Sequence, residues 1–108
     1  MEDKLTKTLR YSSLLSLYQN LLTDTQKEIM SSYFSYDLSL SEIAEERNIS
    51  RAACEDAIKK GITKLEEYES KLNLYEKSDK ILKITAKLKK NTTNPQDIAD
   101  IEEIERNL

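Results

Sequence analysis

The side chains that most clearly suggest a chemistry are cations at and beyond the start of one short helix pattern. Arg51 can donate two parallel hydrogen bonds to a guanine edge, and three lysines further along can contact phosphates. With the two small residues beside Arg51, they make up the candidate nucleic-acid contacts: Ser50, Arg51, Ala52, Lys59, Lys60 and Lys64. The chemistry they predict is non-covalent binding of a polyanion.

Two carboxylates lie among these cations. Glu55 comes four residues before Lys59, and Asp56 comes four residues before Lys60, which is the favourable order for ion pairs on a helix surface. The same carboxylates would oppose a nucleic acid at a cost of about 1 kcal/mol each in water. An ordinary solvated helix face is therefore an alternative interpretation of this region.

The composition gives little support to catalysis or metal binding. The sequence has no histidine and one cysteine, which removes the commonest general base and any Cys/His zinc site. Cys54 lies on an apolar stripe and is expected to be a small core residue. We predict no catalytic residue, no metal site and no cofactor, and we expect a protein that is not an enzyme.

The element that must position the cations is a helix-turn-helix within residues 38–65. Ser39 and Glu42 form a capping-box pattern that opens its first helix, and Ser50 can cap its second. Between them, Asn48 is the residue best able to adopt the left-handed conformation that a helix end needs. Such a unit normally presents the first turns of its second helix to a nucleic acid.

The remaining sequence predicts an all-α fold. One glycine and one proline leave few places for turns, and leucine, isoleucine, lysine and glutamate are abundant. A first helix is predicted over about residues 5–22, with Leu21 on its apolar face. Thr23 and Gln26 form a second capping box, and Asn94-Pro95 opens a final helix.

After Ser50, apolar residues recur at alternating steps of four and three, which indicates a coiled-coil-like seam. Its predicted dimer-forming or long-helix part consists of Leu65, Tyr68, Leu72, Tyr75 and Leu82. The pattern predicts a helix-turn-helix domain over residues 1–72. It also predicts a helical extension over residues 73–108, continuous with the preceding helix and packed on it or on a second protomer. A break near Asn73 or Ser78 is equally allowed, and we expect a homodimer because so long a seam exceeds what short helices can cover.

The net charge of −3 and the isoelectric point near 5.1 are unlike those of an autonomous nucleic-acid-binding domain. No apolar run approaches the roughly 20 residues that cross a bilayer, and the amino terminus lacks the pattern of a secretory signal. The sequence therefore predicts a cytoplasmic protein without membrane insertion.

Several segments share the pattern of one known family: residues 42–46, residues 49–51 followed by Ala53 and Asp56, and the stretches 58–59, 65–69, 71–72 and 74–77. In these segments the sequence resembles the YlxM/p13 family of small bacterial proteins. This family is similar in fold to region 4 of bacterial sigma factors, so the resemblance implies a helix-turn-helix bundle. Ser50, Arg51 and Lys59 match its pattern and remain the best candidate contacts.

The resemblance also implies a function. Genes of the family commonly neighbour those of the signal-recognition-particle GTPases, which implies an accessory or regulatory role in protein targeting. The implied partners are the signal-recognition-particle GTPase or its RNA. The alternative is a DNA-binding transcriptional regulator, with duplex DNA as the partner.

Overall fold

The computed structural model describes residues 4–108, and that part of the chain contains helices and no strand. The elements in chain order are α1 (Lys4–Tyr18), a short 3-10 helix (Gln19–Leu21), α2 (Asp24–Phe34), α3 (Leu40–Arg47), α4 (Arg51–Leu72), α5 (Leu74–Asn91) and α6 (Pro95–Arg106). The prediction of an all-α fold is confirmed. The helices form two units, residues 4–72 and residues 73–108, which are described in turn.

In residues 4–72, helix α4 packs against α1, α2 and α3 around one apolar core. The fully buried side chains of that core, each less than 2% exposed, are Leu14, Tyr18, Met30, Ile43, Cys54 and Leu65. Gly61 allows α2 to lie close to α4, because a Cβ atom at that position would stand only 2.5 Å from the Sδ of Met30. The helices of this unit thus bury the apolar stripes that the sequence pattern indicated.

One polar pair is buried within this core. The Oη of Tyr18 donates a hydrogen bond of 2.7 Å to the carboxylate of Glu69, whose residue is 7% exposed. The tyrosine ring itself lies 6.0 Å from the ring of Tyr68. A buried carboxylate needs such donors, because an unsatisfied charge would be costly away from water.

Helix α1 ends earlier than predicted. The α-helical hydrogen bonding stops at Tyr18, and a 3-10 turn follows over Gln19–Leu21. Because a 3-10 turn advances fewer residues per turn than an α-helix, the apolar stripe loses its phase there. Leu21 is 53% exposed, so its predicted place on the buried face is wrong.

The predicted helix caps are confirmed. Thr23 with Gln26 and Ser39 with Glu42 both form complete capping boxes, in which each side chain bonds to the backbone N–H of the other residue. Asn48 closes α3 in the left-handed conformation at φ 55° and ψ 46°. These local signals determine where the helices of the helix-turn-helix begin and end.

Helix α4 does not continue into the extension. It ends at Leu72, and α5 begins at Leu74. Asn73 between them has φ 55° and ψ 28°, a left-handed conformation that an α-helix cannot contain. The predicted continuity of the extension with the preceding helix is therefore wrong, and of the two allowed breaks the one at Asn73 is present.

Residues 73–108 form an antiparallel hairpin of α5 and α6. Asn94 caps α6 by accepting a hydrogen bond from the backbone N–H of Gln96, and Pro95 occupies the first helical position, as predicted. Across the hairpin, the Oγ1 of Thr85 donates to Glu105 at 2.7 Å, and the Nζ of Lys89 lies 2.8 Å from the same carboxylate. Ile101 is the buried apolar residue of this unit.

Candidate interaction surface of the helix-turn-helix

Polar side chains before and after the corner between α3 and α4 stabilise it through an ion pair and hydrogen bonds. The guanidinium of Arg47 forms an ion pair of 2.8 Å with Glu28 on α2. The Oγ of Ser50 accepts a hydrogen bond of 3.0 Å from the backbone N–H of Ala53, which caps α4. The backbone N–H of Ile49 bonds to the carbonyl of Ala44. This corner leaves Ser50, Arg51 and Ala52 exposed at the start of α4.

Two of the candidate cations are paired with carboxylates of their own helix. The Nζ of Lys59 lies 3.4 Å from Glu55, and the Nζ of Lys60 lies 2.9 Å from Asp56, so the predicted i,i+4 pairs are confirmed. Both pairs are largely exposed and contribute little stability. Their effect is on the surface charge, because two of the three lysines that could contact phosphates each have a carboxylate beside them.

A groove of about 820 Å³ runs beside the start of α4. Aromatic and aliphatic side chains contribute to its lining, among them Tyr11, Tyr33, Phe34, Ile58 and Ile62. Three cations and three carboxylates also line it: Lys7, Arg51, Lys59, Asp37, Glu42 and Glu55. An apolar lining with charges of both signs matches a protein surface better than a uniformly anionic nucleic acid.

The aromatic part of this groove is held in place by packing within the helix-turn-helix unit. The ring of Phe34 lies 4.9 Å from that of Tyr33 in an edge-on arrangement and 5.5 Å from that of Tyr11. The Oγ of Ser12 donates a hydrogen bond of 2.9 Å to the carbonyl of Phe34, which ties α1 to the end of α2. These contacts position the aromatic side chains that line the groove.

Three pKa shifts mark the polar chemistry of this unit. Hydrogen bonds from the backbone and side chain of Ser39 lower the pKa of Glu42 at the edge of the groove. A hydrogen bond from Arg10 is the main cause of the lowered pKa of Glu66, and both guanidinium–carboxylate contacts measure 2.8 Å. Burial raises the pKa of the Cys54 thiol, which keeps it protonated and unreactive.

The structure brings together only some of the candidate contact residues. Arg51 and Lys59 both line the groove, whereas Lys60 and Lys64 are exposed elsewhere on α4. The groove also involves side chains that the sequence analysis did not assign to a site, namely Lys7, Tyr11 and Tyr33. Both tyrosines lie on amphipathic helices, and helical periodicity alone does not distinguish a tyrosine that lines a groove from one in the core.

The predicted seam residues fall in both units. Leu65 is fully buried against the neighbours of α4, and Tyr68 is half-buried with its hydroxyl donating to the carbonyl of Leu21 at 3.0 Å. Leu72 is 46% exposed and Leu82 is 43% exposed, while Tyr75 is half-buried. Because α4 ends at Leu72, these residues do not line a single continuous helix.

The described residues contain no cluster of acidic or cysteine side chains arranged to hold a metal ion. Among the described helices, none combines the length and apolar character needed to cross a membrane. The exposed acids of α3, Glu45 and Glu46, lie on its solvated face.

Comparison with known proteins identifies relatives over most of the chain. Residues 5–105 match the family model described as "Putative helix-turn-helix protein, YlxM / p13 like" (UPF0122). A UPF0122 protein of Halalkalibacterium halodurans is 49% identical over 85 residues, which is 79% of this chain and 78% of that protein. UPF0122 proteins of Bacillus thuringiensis and Bacillus mycoides are also 49% identical over 85 residues, covering 79% of this chain and 77% of theirs. The chain therefore belongs to the UPF0122 family of YlxM/p13-like helix-turn-helix proteins.

Proposed function

We propose that this protein is a non-enzymatic accessory protein of the signal-recognition-particle pathway that docks on the targeting GTPase through the groove beside α4. The family resemblance motivates the pathway. The groove supports this mode of binding, because it combines an apolar and aromatic lining with charges of both signs. Such a surface suits a folded protein partner.

The electrostatics of α4 support the same mode. A helix that follows a phosphate backbone normally presents unopposed cations, because neutralising phosphates supplies most of the affinity. Here Glu55 and Asp56 lie beside Lys59 and Lys60, within 3.4 Å and 2.9 Å. The net charge of the chain is −3, and complementary charge on a basic partner would favour association.

The test is a titration of purified full-length protein against the purified targeting GTPase, followed by fluorescence anisotropy. We expect Lys59→Ala to weaken binding roughly fivefold, the effect of losing about 1 kcal/mol at an interface. Lys71→Ala is a matched control, because Lys71 is on the same helix, has similar exposure and also forms an i,i+4 ion pair. Equal affinity of both variants, or no binding of the wild type, would contradict the proposal.

Binding measurements with nucleic acids test for two other partners. If the protein acts on the RNA of the particle, labelled RNA will bind and its affinity will fall steeply with salt, with Arg51→Ala reducing that slope by about one. The alternative function, a DNA-binding transcriptional regulator using Ser50, Arg51, Lys59 and Lys60, requires mobility shifts of duplex DNA at low salt. The exposed, capped start of α4 is what favours that alternative.

A further inference from the structure

The hairpin of α5 and α6 buries very few of its side chains. Within residues 73–108, only Thr85 and Ile101 are buried, and the hairpin carries no cysteine that could link its helices. Units of fewer than about 40 residues rarely bury enough apolar surface to be stable without disulfides, metals or association. The hairpin therefore needs an additional apolar contact.

Four exposed apolar residues fall on one side of the hairpin by their helical spacing, and we call this side the hairpin face. They are Ile81, Ile84, Leu88 and Ile104, whose exposed fractions are 37%, 58%, 49% and 48%. Thr85 and Ile101 mark the sides on which the two helices meet. At about 100° per residue, the first three lie on the same side of α5, and in an antiparallel pair Ile104 projects from α6 toward that side.

The two helices of the hairpin carry opposite charges. Helix α5 has six lysines against two acidic residues, a net charge of +4, whereas α6 has five acidic residues against one arginine, a net charge of −4. A uniformly acidic or basic partner would therefore attract one helix and repel the other. The partner that matches both helices is one that presents the same pair of charges in the opposite order.

We propose that the hairpin face is a homodimer interface in which α5 of each protomer packs against α6 of its partner. A two-fold axis that runs along the helices places the basic helix over the acidic helix twice and closes a four-helix bundle. A two-fold axis across the helices would instead place like charges together, at a cost in affinity. The proposal is independent of the groove beside α4.

The first test is the solution mass of the full chain, measured by sedimentation over a range of concentrations. The wild type is expected to dimerise, and Ile84→Lys to shift the equilibrium to the monomer by at least tenfold in the dissociation constant. Leu9→Lys is the matched control, because Leu9 is 60% exposed on α1 and Ile84 is 58% exposed on α5. A monomeric wild type at all concentrations, or equal masses for the two variants, would overturn the proposal.

Circular dichroism measures helix content and so checks that the Ile84→Lys variant keeps the hairpin folded. If that variant unfolds, disulfide trapping provides a second test of the interface. Chains carrying Ile84→Cys are mixed with chains carrying Ile104→Cys and oxidised. The fully buried Cys54 does not compete. Mass spectrometry is expected to find mainly disulfides between positions 84 and 104 of different chains. A predominance of links between two copies of position 84, or no interchain link, would overturn the arrangement.

Discussion

Residues 4–72 and residues 73–108 are built from the same kind of amphipathic helix but bury their apolar side chains to very different extents. In the first unit, α4 is surrounded by three other helices, and its residues Cys54 and Leu65 are fully buried. In the second, α5 packs against α6, and Leu88 and Ile84 stay about half exposed. The apolar pattern therefore identifies which face of a helix seeks cover but not whether the chain supplies it.

The two units, which differ in burial, also differ in the kind of interaction surface that they present. The helix-turn-helix unit has a formed core, so its groove can be presented as a fixed surface for another protein. The hairpin has no such core, and its exposed isoleucines and leucine are available for association.

Removing a core side chain should destabilise the first unit more than the second. Leu65→Ala is expected to lower the free energy of unfolding by about 3 kcal/mol, because Leu65 is fully buried and its truncation leaves a cavity in the core. Ile101→Ala, in the open hairpin, should cost about 2 kcal/mol or less. Urea unfolding followed by circular dichroism measures both, and equal losses would contradict the contrast between the units.

Gly61→Ala should destabilise the contact between α2 and α4. The added Cβ would lie 2.5 to 2.9 Å from three side-chain atoms of Met30, which is fully buried and would have to shift within the core. Overpacking of this kind costs about 1–3 kcal/mol, and the better helix propensity of alanine offsets up to about 1 kcal/mol. We expect a net loss of about 1–2 kcal/mol in urea unfolding. The double variant with Met30→Ala should lose less than the sum of the two single changes.

Tyr18→Phe should destabilise the first unit without creating a cavity. It removes the hydroxyl that donates at 2.7 Å to the buried carboxylate of Glu69. We expect a loss of about 1–2 kcal/mol, since a hydrogen bond to a charged buried group is lost. Tyr36→Phe is a useful control because Tyr36 is 74% exposed in the loop after α2. A loss no larger than that of the control would contradict the role given to the buried pair.

The ion pair of Arg10 and Glu66 should make a small, pH-dependent contribution. Because the pKa of Glu66 is lowered in the folded protein, the stabilisation is complete above the ordinary carboxyl value of 4.5 and is lost as the pH falls through the folded value. Both side chains are more than one third exposed, so Arg10→Ala should cost only about 0.5 kcal/mol at pH 7. The urea midpoints of the two proteins should approach each other as the pH falls below 4.5.

The hairpin has a comparable contact between Lys89 and Glu105, which can be tested by measuring a pKa instead of stability. Hydrogen bonds from Lys89 and Thr85 lower the pKa of Glu105. Lys89→Met should therefore raise the pKa of Glu105 toward its ordinary value in an NMR titration, while Lys87→Met, on the same helix, should leave it unchanged. An unchanged Glu105 pKa in the Lys89 variant would show that the two helices do not meet as described.

Much of the fold was predictable because its signals are local. Thr23 with Gln26, Ser39 with Glu42, and Asn94 before Pro95 each satisfy backbone groups within one turn, so their effect does not depend on the rest of the chain. The ion pairs of Lys59 and Lys60 are local in the same sense. The early end of α1 was missed because no residue type near Tyr18 distinguishes an α-helix from a 3-10 turn.

Caps, helix faces and the corner at Asn48 follow from residues within a few positions of one another, and the chain specifies them before any packing occurs. The groove joins side chains of α1, α2 and α4 that are far apart in sequence. The apolar spacing allowed a helix break at either Asn73 or Ser78, and the structure has it at Asn73. Such features depend on which surfaces meet, because burial is a property of neighbours in space and not of order along the chain.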